Sequence, residues 1–230
     1  MPTKFMRFFA MANVYQNVER EFYQNAVRVL FILYFFSEVY TNPEKPDLIK
    51  AFSSEVRIQK IDFLLRYPSY LCDELMNLID RNESIRRNVI QEIENILTDD
   101  EPKLKTKEMQ RFFFGAYDKL DQIIAFLWSY GFVKFESKRR IDMTQHQKNY
   151  YITKYGEEKI VDGLAKLPTL VWYVKRCQLI KEYFGDMTGT ELKQMQYEHP
   201  EYREANWNEI IQDIEKRVRE RFKNEYQQRI

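Results

Sequence analysis

"LWSYGFVKFESKRRIDMTQHQKNYYITKYGEEKI", residues 127–160, decides how the chain is read. It opens on the end of an apolar helix and crosses Gly131 into an aromatic strand. A polar, basic tip follows, then a second aromatic strand that reaches Thr153 and Gly156, where another helix starts. Helix, strand, tip, strand, helix is the order of a winged helix. On the outgoing arm Val133 and Phe135 alternate with Phe132, Lys134 and Glu136, and on the return arm Tyr150 and Ile152 alternate with Tyr151 and Thr153. Period-two alternation on both arms predicts a hairpin packed on one face. Lys138, Arg139, Arg140 and Lys148 stand against a single acid, Asp142, between the arms. With Lys134 they are the candidate DNA contacts, each phosphate neutralised adding a salt-sensitive increment.

Outward from the hairpin the chain reads as helices. Residues 17–40 form one that is apolar nearly all round in its second half, the mark of an enclosed helix. "TNPEKPD" (41–47) is a loop, and Ser53 or Ser54 caps a helix carrying Ile58, Ile61 and Leu65 that ends before Pro68. Leu71, Leu75, Leu78 and Ile79 share a face of the next helix, and Ser84 starts a third with Ile85, Val89, Ile93 and Ile96. The charged stretch "TDDEPKLKTKE" (98–108) is the boundary candidate. Phe113, Tyr117, Leu120, Ile124 and Leu127 then line a long helix with Gly131 as its C-cap. A helix after Pro168 stops at Gly185, Thr188 and Glu191 form a capping box, and a last helix runs from about residue 203. The expected fold class is mainly α with a winged-helix-like β-hairpin, a helix-dominated α+β chain. The expected segments are an N-terminal helical region (1–104), a winged-helix-like module (105–168) and a C-terminal helical region (169–230).

With only six Gly and seven Pro among 230 residues, long elements with few tight turns are expected. A net charge of +1 means that DNA contact must come from a local patch. Cys72 and Cys177 both sit in apolar helical patterns and read as buried thiols of a reduced, cytoplasmic protein. The densest apolar run, "VLFILYFF" at 29–36, is far short of the ~20 residues a membrane span requires. Chemistry leaves little trace. His146 and His199 have no Cys or His at metal-ligand spacing, no glycine-rich phosphate loop exists, and no nucleophile elbow is present. The expectation is a protein that is not an enzyme and carries no cofactor or metal.

Two stretches ask for partners. "KFMRFFAMANVY" adds Phe5, Phe8 and Phe9 to a segment with no domain of its own. The last helix carries Trp207, Ile210, Ile211, Ile214, Val218 and Phe222 as a single apolar seam, suited to a groove of its own domain or of another protein. The wing itself has two readings. Base readout needs a helix with polar side chains aimed into a major groove. The helix entering this wing offers Lys119 and Gln122 among Asp118 and Asp121, acids that repel phosphate. A docking scaffold that touches DNA without reading its sequence is therefore expected, the alternative being a winged-helix transcription regulator.

"RIQKIDFLLRYPSYLCDELM" (57–76), "LDQIIAFLWSYGFVKFE" (120–136) and "YYITKYGEE" (150–158) resemble the small middle component of bacterial ABC three-component systems, including the Lamassu-type defence systems. The resemblance covers about a fifth of the chain and its motifs are structural. It implies a non-enzymatic subunit beside an SMC-like coiled-coil ATPase and an effector, often a nuclease, acting against phage or plasmid DNA. The small subunit would sit at the ATPase heads.

Overall fold

The computed structural model describes residues 17–98, 120–139, 146–206 and 209–226. These form a helix-dominated α+β structure with one small antiparallel sheet. The helices are α1 (Asn17–Phe36), α2 (Glu55–Arg66), α3 (Pro68–Arg81), α4 (Arg86–Thr98), α5 (Leu120–Ser129), α6 (Lys154–Asp162), α7 (Pro168–Phe184), α8 (Gly189–Glu198), α9 (Pro200–Arg203) and α10 (Glu215–Glu225). The strands are β1 (Glu38–Val39), β2 (Leu48–Phe52), β3 (Val133–Arg139) and β4 (His146–Thr153), in the order β1-β2-β4-β3. No helix among the described residues is long and apolar enough to cross a membrane.

By contacts the chain divides into two discontinuous units, 1–58 with 119–181 and 59–118 with 182–230. This division cuts across the three consecutive segments read from the sequence. In the first unit, the apolar half of α1 is enclosed as its composition demands: Val29, Leu30, Phe31, Ile32 and Leu33 are all buried. The helix ends at Phe36, earlier than expected, where the Ser37 amide and hydroxyl both turn back to the Leu33 carbonyl. The residues after it form β1 instead of further helix. In the hairpin Val133 opposes Ile152 and Phe135 opposes Tyr150, and Val133, Tyr150 and Ile152 are buried as predicted. Tyr151 and Thr153 of the other face are buried too, so the foot of the hairpin is covered on both faces and not on one alone. The sequence reading missed β1 and β2. β2 pairs antiparallel with β4, Ala51 opposite Tyr151 and Phe52 opposite Tyr150, which makes the hairpin part of a four-stranded sheet.

The foot of the hairpin is closely tied. Gly131 takes φ +78°, a conformation open to glycine, and turns the chain out of α5 into β3. Thr153 caps α6: its hydroxyl accepts from the Gly156 amide at 2.8 Å and donates to the Gly131 carbonyl at 2.7 Å. Gly156 is buried against the Phe132 backbone, closely enough that a Cβ would overlap the Phe132 carbonyl oxygen.

In the second unit α3 packs on α4 and α10. Leu71, Leu75 and Ile79 of α3 are buried, as are Val89, Ile93 and Ile96 of α4. The capping box holds: the Thr188 hydroxyl accepts from the Glu191 amide and the Glu191 carboxylate accepts from the Thr188 amide. Thr188→Ala should therefore lower the unfolding free energy by about 1 kcal/mol in a urea titration. One helix is corrected. The C-terminal helix begins at Glu215, not near residue 203. The described residues between α9 and α10 are held instead by side-chain bonds that compete with helix. Asp213 accepts from the Glu215 amide at 3.0 Å and from Ser69 Oγ at 2.6 Å, and Tyr70 donates to the Gln212 carbonyl at 2.8 Å. Cys72 and Cys177 are both free thiols and buried.

Candidate functional site

The hairpin carries the first candidate. β2 reaches only as far as Tyr150, so His146–Asn149 of β4 pair with Glu136–Arg139 of β3 and with no other described strand. A two-stranded arm therefore extends past the sheet. Lys138 and Arg139 lie on it opposite Gln147 and His146. Arg140 falls outside the described residues. Lys134 is exposed at the arm's base, its ammonium 5.8 Å from the Trp128 ring centroid, and Trp128 is itself 45% exposed. Glu136 pairs with Lys45 and accepts from the Tyr151 hydroxyl at 3.3 Å.

Lys148 has a different setting. Its ammonium sits between Glu55 Oε2 at 2.7 Å and Asp121 Oδ1 at 3.0 Å. Burial disfavours the charge, yet the hydrogen bonds to Glu55 and Asp121 outweigh it and hold the lysine above its usual range. The two acids meet this charge within the fold, and Asp121 is one of those read from the sequence as repelling phosphate.

Of the candidate partner contacts, Phe5, Phe8, Phe9 and Trp207 lie outside the described residues. Ile211, Ile214, Val218 and Phe222 are buried, and α10 packs on α3 of its own unit. Ile210 is 45% exposed and is the one member of the seam, among those described, that faces solvent.

The second unit also contains a buried polar network that sequence reasoning did not find. Asp73 and Glu74 on α3 and His199 between α8 and α9 are all nearly inaccessible. His199 Nε2 lies 2.6 Å from Glu74 Oε1, and its Nδ1 lies 3.6 Å from Asp73 Oδ2. Asp73 also takes Arg221 Nη1 at 2.8 Å and Arg217 Nη1 at 3.3 Å. Arg221 reaches Asn77, Asp80 and Glu225 as well, and Arg217 reaches Glu201 at 3.3 Å. Burial alone would weaken the Arg221 charge, but its bonds to Asp73 and Glu225 keep the guanidinium firmly protonated. The Tyr70 and His199 rings meet edge to face, their centroids 4.9 Å apart. Buried charge is tolerated only when paired and hydrogen-bonded, and here the pairing joins α3, α10 and the turn at His199. Among the described residues no group of three or more His, Cys, Asp or Glu side chains is arranged to hold a metal ion.

Several tyrosines report on the packing of the two units, Tyr70 and Tyr226 in the second and Tyr150 in the first. The Tyr226 hydroxyl donates to Asp80 Oδ1 at 2.8 Å, and burial together with that bond pushes its pKa up to about 12. Burial raises Tyr70 and Tyr150 further. An unfolded tyrosine ionises near pH 10, so the folded chain retains protons that the unfolded chain loses. The associated stability is complete below about pH 10 and falls as pH rises toward 12. In an alkaline titration, the part of the phenolate absorbance that Tyr70→Phe removes should rise in a cooperative step that coincides with loss of helical circular dichroism. A gradual rise of that part before unfolding would refute this. No protein-family model, no curated protein and no solved structure matches this chain.

Proposed function

We propose that this chain is a non-enzymatic accessory subunit of a bacterial SMC-like ATPase complex directed against phage or plasmid DNA. In this reading it docks at the ATPase heads and links them to an effector nuclease, working in the cytoplasm. The support is the resemblance of residues 57–76, 120–136 and 150–158 to such subunits, together with one geometric observation. That observation is the two-stranded arm, which carries Lys138 and Arg139 beyond the sheet while its base is fixed by Thr153 and Gly156. Such an arm is a lever for docking, and its basic end suits contact with a phosphate backbone without base readout. Lys148 contributes to holding the arm to Glu55 and Asp121.

Co-expression with an SMC-like coiled-coil ATPase tests the docking, the proposal expecting such an ATPase to be encoded by a neighbouring gene. A co-eluting complex on size exclusion is the expected result, and a monodisperse monomer that ignores the ATPase would sink the proposal. DNA contact is tested separately by duplex-binding titrations across salt. Replacing Lys138 and Arg139 with alanine should reduce the log–log salt slope by about 2 and weaken all sequences alike. Tight binding confined to one promoter, abolished by those substitutions, would favour the transcription-regulator reading instead.

A further inference from the structure

We propose that a cavity beside His199 in the second unit is a binding site for one internal water molecule, which completes the buried polar network. The cavity measures about 10 Å³; its walls are mostly apolar and include Phe63 and Leu192, and Lys60, Glu74, Gln196 and His199 are among the residues that line it. That volume is about the smallest that admits a water, and a water needs two to four polar partners.

The independent evidence is Gln196. It is 4% exposed, and its buried Oε1 accepts no hydrogen bond among the described residues. A buried acceptor without a donor is costly, and native structures rarely leave one so. Lys60, also buried, lines the same cavity, and its ammonium has three donors. Glu74 accepts from His199 through Oε1 and from Asn77 through Oε2, and each carboxylate oxygen retains a further lone pair.

The chemistry of this lining selects the occupant. It must donate to the Gln196 carbonyl oxygen and accept from the Lys60 ammonium. A metal or ammonium ion cannot accept, and it would be repelled by Lys60. An anion cannot donate, and it would meet the Glu74 carboxylate. An apolar molecule satisfies neither group. Water does both and fits the volume. So placed, it connects Lys60 to Glu74 and, through His199, to Asp73 and Arg221.

Crystals of the full chain diffracting well enough to show ordered solvent should contain a solvent peak within hydrogen-bond distance of Lys60 Nζ and Gln196 Oε1. In solution, oxygen-17 magnetic relaxation dispersion should count one fewer long-lived water in Gln196→Leu than in the parent protein. Gln196→Met is a second variant of closer shape, expected to show the same loss. An unchanged count in a folded variant would overturn the proposal. So would a cavity without solvent density in the parent, or density that refines as an ion, and that observation needs no variant to fold.

Discussion

Replacing Asp73 with alanine is expected to destabilise the second unit by about 3–5 kcal/mol, the range found when one partner of a buried ion pair is removed. The carboxylate is nearly inaccessible and receives Arg221 at 2.8 Å and Arg217 at 3.3 Å, with His199 Nδ1 at 3.6 Å. Its loss leaves cationic groups on α10 facing a shortened side chain, and the cavity adds to the cost. Asp73→Asn keeps an acceptor for Arg221 and should be milder. Arg219→Ala provides the contrast, because its bond to Glu215 lies within one exposed turn of α10 and pairs of that kind contribute about 0.3–0.5 kcal/mol. Urea midpoints of the three variants measure the difference. A loss below ~1 kcal/mol for Asp73→Ala would mean that the network is not a structural clamp.

Gly156→Ala should be nearly as damaging in the first unit, at about 3 kcal/mol. Two effects oppose each other. Alanine is the better helix former by about 1 kcal/mol, and position 156 lies in the first turn of α6. Against that, the new Cβ would overlap the Phe132 carbonyl oxygen and stand 3.0 Å from that residue's carbonyl carbon and Cα. All three atoms are backbone, so no side chain can swing aside. The same carbonyl accepts from the Thr153 amide at 3.1 Å, so a shift also disturbs the join between strand and helix. Overpacking of a rigid site commonly costs 1–3 kcal/mol, and this geometry is at the severe end. Gly131→Ala is the control. There the nearest side-chain atom is 3.8 Å away, and the cost is that of a positive φ, about 1–2 kcal/mol. A Gly156→Ala protein as stable as its parent would contradict the packing at the hairpin's foot.

The elements that were legible in the sequence carry their signals locally. Pro68 and Pro168 open helices, Ser54 caps α2, Gly131 ends α5, and Thr188 with Glu191 caps α8. The hairpin was readable because alternation on both arms lies within one short window. β2 was not. "LIKAF" is five residues long, and its partner β4 lies about a hundred residues further along the chain. The buried network was hidden for a related reason. Asp73, Asn77 and Asp80 share one face of α3, and Arg217 and Arg221 one face of α10, each of which reads alone as a solvated helix surface. Their meeting depends on contacts 141 or more residues apart, which no local period encodes. The paired spacing, acids at i and i+7 with an amide at i+4 against bases at i and i+4, was the one available hint. The helix expected from residue 203 failed because side-chain acceptors, Asp213 above all, offered the backbone another set of partners.

The discontinuity of the two units bears on how the protein is made. β2 leaves the ribosome long before β4, and α3 long before α10, so neither body can finish until late in translation. Closing such long loops is entropically slow. Fragments that stop between about residues 118 and 146 would own two half-built cores, so such a shortened gene product should aggregate or be degraded instead of yielding a separable working piece.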